Sequence, residues 1–256
     1  MKDVIIYFPW GGGGNFLKNL ITINPEFDFI DDKEFTDEIE PGFESRYKFF
    51  LKYYTPVPGE EWLSREWKIR KKFFGRYYQG GGINYWNPWA RTAFDCHGSP
   101  EELERINSGE RLHCYDRTRI DRGEISDELS PYCLRDCKHV FLLPDNNKLI
   151  TDIYLSKNPA LNQFDESVPL QIKKDRAYLI NKFRNYRLRE FAETLPANVY
   201  KYSADQLYTD LGAKLVSGIF EDLGIEMPTN IVDDLHKIWL SNTRQIYSAY
   251  HNKELP

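Results

Sequence analysis

A run of four glycines near the start of the chain, residues 11–14, has the residue type and spacing to bind an anion. Apolar residues 4–8 precede it and apolar residues at helical spacing follow it, which predicts a strand, a tight loop and a helix with Asn15 as N-cap. Glycine lets a ligand approach backbone N–H groups closely, and a helix start favours negative charge. The residues expected to bind a phosphate or sulfate group are Gly11, Gly12, Gly13, Gly14, Asn15 and Phe16.

The glycine run differs from two familiar nucleotide-binding signatures. A Walker A loop ends in Gly-Lys followed by Ser or Thr, which this stretch lacks, and the dinucleotide-binding fingerprint needs a glycine where Phe16 stands. A loop that needs glycine only for a strained turn is the alternative interpretation. The sequence therefore predicts an anion-binding loop and leaves its ligand open.

Length and composition limit the classes of protein to consider. The 256 residues are 41% hydrophobic and 15% aromatic, which predicts a globular chain, and residues 1–256 are expected to form a single domain. A formal net charge of −5 argues against generic nucleic-acid binding. The absence of a long apolar run and of a signal-peptide pattern predicts a cytoplasmic protein without a membrane span. Cys133 and Cys137 lie close to His139 in the sequence, which leaves a zinc site as one interpretation. The preferred interpretation is that the cysteines are reduced and that no metal is bound.

Beyond the first helix, the hydrophobic pattern alternates between strands and helices. Strands are predicted at 27–30, 111–116, 139–143 and 198–202, and helices at 62–78, 99–107, 126–134, 147–156, 175–195, 207–223 and 229–247. The apolar positions expected on the inner faces include Phe183 in the helix 175–195 and Leu211 in the helix 207–223. Such alternation predicts an α/β fold with a central parallel sheet. Residues 31–98 are expected to form an irregular aromatic and charged insertion. In it, Trp86 and Trp89 either stack on a substrate or pack at the edge of the core.

Four segments, taken in chain order, resemble the sulfotransferases that use 3′-phosphoadenosine 5′-phosphosulfate (PAPS). Residues 9–17 resemble the loop that holds the 5′-phosphosulfate, and residues 111–115 resemble the strand that carries the catalytic histidine. Residues 139–154 resemble the strand and helix that hold the 3′-phosphate, and residues 199–207 resemble a late strand with a Tyr-x-x-(Asp/Glu)-x-Leu ending. The resemblance implies a three-layer α/β/α fold with a P-loop NTPase-like sulfotransferase architecture.

The same resemblance implies an activity and roles for particular residues. The reaction would transfer a sulfuryl group from PAPS to an acceptor hydroxyl or amine, without a metal ion. His113 is then the expected general base and Lys18 a substitute cation, while Asn147 and Lys148 are expected to hold the donor. The residues expected to bind the acceptor, for which a carbohydrate is one option, are Trp86, Trp89 and Arg117.

The chain also departs from the family pattern. Trp10 stands where the family has Lys or Arg before its loop, and Pro144 and Asp152 stand where it has Arg and Ser at the 3′-phosphate. The family's C-terminal Gly-x-x-Gly-x-x-Lys segment is absent. Two other functions stay open: a non-catalytic module that binds an anion or glycan, and a P-loop-type nucleotide phosphotransferase, which the missing Lys disfavours.

Overall fold

Four parallel strands lie at the centre of the fold in the computed structural model, which describes residues 4–27, 42–55, 93–98, 100, 103–104, 137–158, 169–195 and 197–256. In chain order they are β1 (Val4–Tyr7), β2 (Ala93–Cys96), β3 (Lys138–Leu143) and β4 (Val199–Ser203). Their order in the sheet is β2–β1–β3–β4. Parallel pairing brings the carboxyl ends of the strands to one edge, where ligand sites of open α/β sheets lie.

Helices cover both faces of this sheet. Those of the described chain are α1 (Gly14–Ile21), α2 (Phe43–Tyr54), α3 (Asn147–Lys157), α4 (Leu170–Thr194), α5 (Gly212–Leu223), α6 (Thr229–His251) and a 3-10 helix (Ala204–Tyr208). Val4 and Ile6 of β1 lie in an apolar cluster with residues of α1, α2, α3, α5 and α6. Ile5 and Tyr7 point into a second cluster with residues of α4. The predicted α/β fold, with three layers and a parallel sheet, is confirmed.

The segment 31–98 differs from its prediction as an irregular insertion, because it contains α2 and β2. Helix α2 is held by its last residue: Tyr54 is buried, and its carbonyl oxygen accepts a hydrogen bond from Asn242 Nδ2 at 2.7 Å. Strand β2 pairs along its whole length with β1, with Tyr7 level with Cys96. Its four residues, Ala-Phe-Asp-Cys, are too few for a clear periodic signal.

The predicted elements from residue 138 to the C-terminus are confirmed as β3, α3, α4, β4 and α6, but two buried faces were predicted wrongly. Helix α4 buries Asn181 and Asn185, and Phe183, expected inside, is 51% exposed. The predicted helix 207–223 is divided into the 3-10 helix and α5, and Leu211 is 68% exposed. Leu211 is exposed because it is the N-cap of α5 and lies in the turn between the two helices, where the helical repeat is interrupted.

The remaining predicted elements fall at least in part outside the described residues: the strands at 27–30 and 111–116 and the helices at 62–78, 99–107 and 126–134. None of the described helices combines the length and the apolar character that crossing a membrane requires. Among the described residues, no group of three or more His, Cys, Asp and Glu side chains is placed to hold a metal ion.

Candidate functional site

The glycine loop predicted from the sequence joins β1 to α1 at the carboxyl edge of the sheet. Its tight turn is closed by a hydrogen bond from Gly12 N to Pro9 O at 2.9 Å. Gly11 and Gly13 have φ of 85° and 80°, in the left-handed region that glycine enters without strain. Gly13, and not Asn15 as predicted, is the N-cap of α1, because the chain turns into the helix two residues earlier.

The start of α1 presents backbone N–H groups without helical partners. The first hydrogen bond of the helix runs from Leu17 N to Gly13 O at 3.2 Å, so the N–H groups of residues 14–16 precede it. In the described part of the chain, no side chain caps the helix. These N–H groups and the positive end of the helix dipole favour an anion at this point.

A cavity of about 250 Å³ lies beside the loop and is lined by Gly11, Gly13, Asn15 and Phe16. Half of the residues that line it are aromatic: Phe8, Trp10, Phe16, Tyr54, Tyr154, Tyr208 and Trp239. Trp10 stacks on Tyr154 with ring centroids 4.9 Å apart, and Phe16 stacks on Trp239 at 4.3 Å. The Tyr208 hydroxyl donates a hydrogen bond to Gly11 O, which ties the wall to the loop.

His97 lines the same cavity and was missed as a functional residue in the sequence. It directly follows β2, whose pairing with β1 brings it beside the glycine loop, and its ring packs edge-on against Phe8 at 4.6 Å. The signal that could have found it is the run Ala93–Cys96 followed at once by His97 and Gly98, a strand end with a turn residue.

Among the described residues, two cations lie near the loop, and neither is the predicted one. Lys157, at the end of α3, lines the cavity with its Nζ 4.9 Å from the centroid of the Trp239 ring. The Arg184 guanidinium lies 3.9 Å from the Trp10 ring, and its NH1 lies 3.5 Å from His97 O. Lys18 lies in the last turn of α1 and is not among the residues that line the cavity. Its catalytic role stays a prediction.

Asn147 and Lys148 were expected to hold the sulfuryl donor at the turn between β3 and α3. The backbone of this turn is already hydrogen-bonded to another part of the chain. Asp205 Oδ2 accepts hydrogen bonds from the backbone N–H groups of Asp145 and Asn146 at 3.1 and 2.7 Å. Burial raises the pKa of Asp205, and the two N–H donors oppose that rise. Asn147 Oδ1 accepts from Asn185 at 3.0 Å, and Lys148 is exposed. The donor-binding role of both residues stays a prediction.

The buried asparagines of α4 hold the two loops in place. Asn181 Nδ2 donates to Trp10 O in the glycine loop at 2.9 Å. One turn later, Asn185 Nδ2 donates to Pro144 O in the turn after β3 at 3.0 Å. Both side chains are almost completely buried, so these hydrogen bonds form away from water. The apolar pattern of α4 gave no signal for this role.

Four other residues predicted from the sequence to form the site cannot be placed. His113, Trp86, Trp89 and Arg117 lie outside the described residues, so their proposed roles remain predictions. Two further histidines have structural partners: His139 is buried with its Nδ1 2.9 Å from the Tyr7 hydroxyl. His236 Nε2 lies 2.8 Å from Leu207 O, and burial lowers the pKa of its imidazole.

Comparison with known proteins adds a single distant likeness. No protein-family model matches the sequence, and no curated protein matches it. A solved structure described as "Sulfotransferase Domain from the Curacin Biosynthetic Pathway" aligns with 100% of this chain and 99% of its own at 12% identity, with a TM-score of 0.40. A likeness at this level carries no argument about activity. The site therefore defines a class only: a parallel α/β protein with an anion-favouring glycine loop at the carboxyl edge of its sheet.

Proposed function

We propose that this protein transfers a sulfuryl group from a nucleotide phosphosulfate, of which PAPS is the expected example, to an acceptor hydroxyl or amine. The observation that carries the proposal is that the glycine loop, a histidine and a lysine line one cavity. The loop supplies N–H donors for an anion, and the aromatic wall suits a flat ring of a nucleotide or an acceptor. The motif resemblance in residues 9–17 and 199–207 points to the same chemistry.

His97 is the general base in this proposal. The acceptor oxygen or nitrogen forms a bond to sulfur while the bond from sulfur to the bridging oxygen breaks, and that electron pair stays on the departing phosphate. The acceptor proton passes to the His97 imidazole, since histidine is the side chain that most often acts as a general base. Negative charge that grows on the bridging oxygen is stabilised by the N–H groups at the start of α1.

The cavity also contains a polar atom that a ligand can satisfy. Asn15 Oδ1 is buried without a hydrogen-bond partner among the described residues. Buried polar atoms are normally hydrogen-bonded, so this oxygen supports a bound molecule with a donor group. A phosphotransferase has less support, because no carboxylate that could hold Mg²⁺ is found among the described residues lining the cavity.

Thermal shift measurements test donor binding without knowledge of the acceptor. PAPS and adenosine 3′,5′-bisphosphate, each at about one hundred times its Kd, should stabilise the protein by about 2.7 kcal/mol. For a chain of this size, that corresponds to a rise in Tm of about 5–10 °C. ATP is the comparison for a phosphotransferase, and a rise with ATP alone would favour that class. No rise with any of the three nucleotides would remove both the sulfotransferase and the phosphotransferase.

Substitution of two histidines tests the catalytic assignment. With radiolabelled donor and a panel of sugar, phenol and amine acceptors, His97→Ala should lower turnover by about 10²–10⁴-fold while donor binding persists. His113→Ala is the matched comparison, because His113 is the base expected from the motif resemblance. Full loss in His113→Ala with normal turnover in His97→Ala would reverse the assignment. Donor binding with no transfer to any acceptor would favour a non-catalytic anion-binding module.

A further inference from the structure

The glycine loop itself brings no cation to the cavity. Trp10 stands at the position where a loop cation would be expected, and its side chain is engaged in packing: the ring stacks on Tyr154 and contacts Arg184. Its carbonyl oxygen is held by Asn181. A transferring sulfuryl group carries negative charge, so its neutralisation requires a positive charge from another element of the fold.

Lys157 is in the right place to provide that charge. It is the last residue of α3, and its Nζ lies 4.9 Å from the centroid of the Trp239 ring and 5.9 Å from that of Tyr208. Both rings are attached to the glycine loop, because Trp239 stacks on Phe16 and the Tyr208 hydroxyl donates to Gly11 O. The aromatic faces therefore hold the ammonium group on the side of the cavity that the loop forms.

The charge of the cavity wall agrees with this role. Among the described residues that line the cavity, Lys157 is accompanied by asparagines, aromatic rings and His97, and by no Asp or Glu. An anion that enters the cavity consequently meets a net positive wall. In a cavity that is partly shielded from water, that attraction is stronger than in open water.

We propose that Lys157 neutralises the sulfuryl group during transfer, in place of a cation from the loop. This inference rests on the proposed function, and it adds a catalytic residue from the end of α3 rather than from the glycine loop. In this proposal the Lys157 ammonium group contacts the oxygens of the sulfuryl group directly and accepts no proton. Its contribution is electrostatic and grows as negative charge moves onto the bridging oxygen.

Three substitutions test the proposal. Lys157→Met keeps the aliphatic stem against Trp239 and removes the charge, Lys157→Arg keeps the charge, and Lys214→Met removes an exposed charge from α5 as the matched control. Turnover should fall about 10²-fold or more in Lys157→Met, which is the usual effect of losing one such stabilising group. Lys157→Arg should recover most of that loss, and Lys214→Met should behave as the wild type.

A second measurement does not depend on transfer. Calorimetry with inorganic pyrophosphate should give a Kd at least tenfold weaker for Lys157→Met than for Lys214→Met, and this difference should shrink in high salt. Circular dichroism melting identifies any variant that fails to fold; if Lys157→Met fails, Lys157→Gln, which also removes the charge, takes its place against Lys214→Met. Equal pyrophosphate affinity and equal turnover in Lys157→Met and the control would overturn the inference. Weakened pyrophosphate binding in a protein without transfer activity would leave Lys157 as an anion ligand and refute only the sulfotransferase.

Discussion

Alanine at Gly11 is the substitution whose effect can be worked out most directly from the structure. Gly11 has a φ of 85°, and a Cβ there would lie closer than 3.0 Å to the carbonyl oxygen of Ile150 and 3.1 Å from Tyr154 Cβ. The left-handed backbone costs an alanine about 1–2 kcal/mol. The overlap is with backbone of the packed helix α3, which cannot move cheaply, and overpacking of this kind costs about 1–3 kcal/mol.

Together the two effects should lower the free energy of unfolding by about 2–5 kcal/mol. In a chain of this size, the expected fall in Tm is about 5–15 °C by differential scanning calorimetry. The affinity for pyrophosphate should fall as well, because relief of the overlap moves the N–H groups of the loop. Both changes come from the same backbone displacement.

Gly218→Ala is the matched control. Gly218 lies inside α5, and a Cβ there would meet no atom within 4 Å. Alanine in a helix interior should therefore stabilise the protein by about 0.5–1 kcal/mol and leave pyrophosphate binding unchanged. A Gly11→Ala protein that melts at or above the wild-type temperature would refute the close approach of the loop to α3.

Three further predictions follow from particular contacts. Asn181→Ala should lower the free energy of unfolding by about 1–3 kcal/mol and weaken pyrophosphate binding, because Trp10 O loses its buried donor; Asn230→Ala, at an exposed position of α6, is the control for calorimetry and urea melts. Asp205 already accepts hydrogen bonds from the N–H groups of Asp145 and Asn146, so a 3′-phosphate at this turn should add little affinity. The Kd values of PAPS and of adenosine 5′-phosphosulfate, which lacks the 3′-phosphate, should therefore agree within about threefold. PAPS binding about ten times tighter would contradict this. Burial lowers the pKa of His236, so as the pH falls the unfolded chain takes up a proton at this histidine before the folded protein does. The free energy of unfolding should therefore be highest above about pH 6.5 and should decrease as the pH falls toward the lower pKa of the folded state. The pH dependence of Tm in that window should flatten in His236→Gln, and an unchanged slope would assign it to other groups.

Local sequence patterns predicted much of the fold correctly. The strand, the glycine loop and the first helix are visible in residues 4–21 because each element has its own period and the loop its own backbone chemistry. The same holds for β3, whose continuous apolar run is typical of a strand buried on both faces. Even so, the N-cap was placed at Asn15, because side-chain preference gave no sign that Gly13 would end the loop in a left-handed conformation.

Residues with polar roles in the interior were the hardest to predict. Asn181 and Asn185 interrupt the apolar pattern of α4, and a pattern that counts only apolar residues placed Phe183 inside instead. Their carbonyl partners, Trp10 O and Pro144 O, belong to distant loops. Burial of an amide is favourable only where such partners exist, and their presence cannot be seen within one helix.

The sequence by itself determined that a glycine loop follows the first strand and that a parallel α/β sheet positions it. Both follow from the spacing of apolar and glycine residues over short stretches of the chain. Within the described part of the chain, the tertiary structure brings His97 and Lys157 beside that loop. His97 reaches it because β2 pairs with β1, and Lys157 because Trp239 and Tyr208 hold its ammonium group. Strand order and ring packing join residues far apart in the chain, so no local period encodes them.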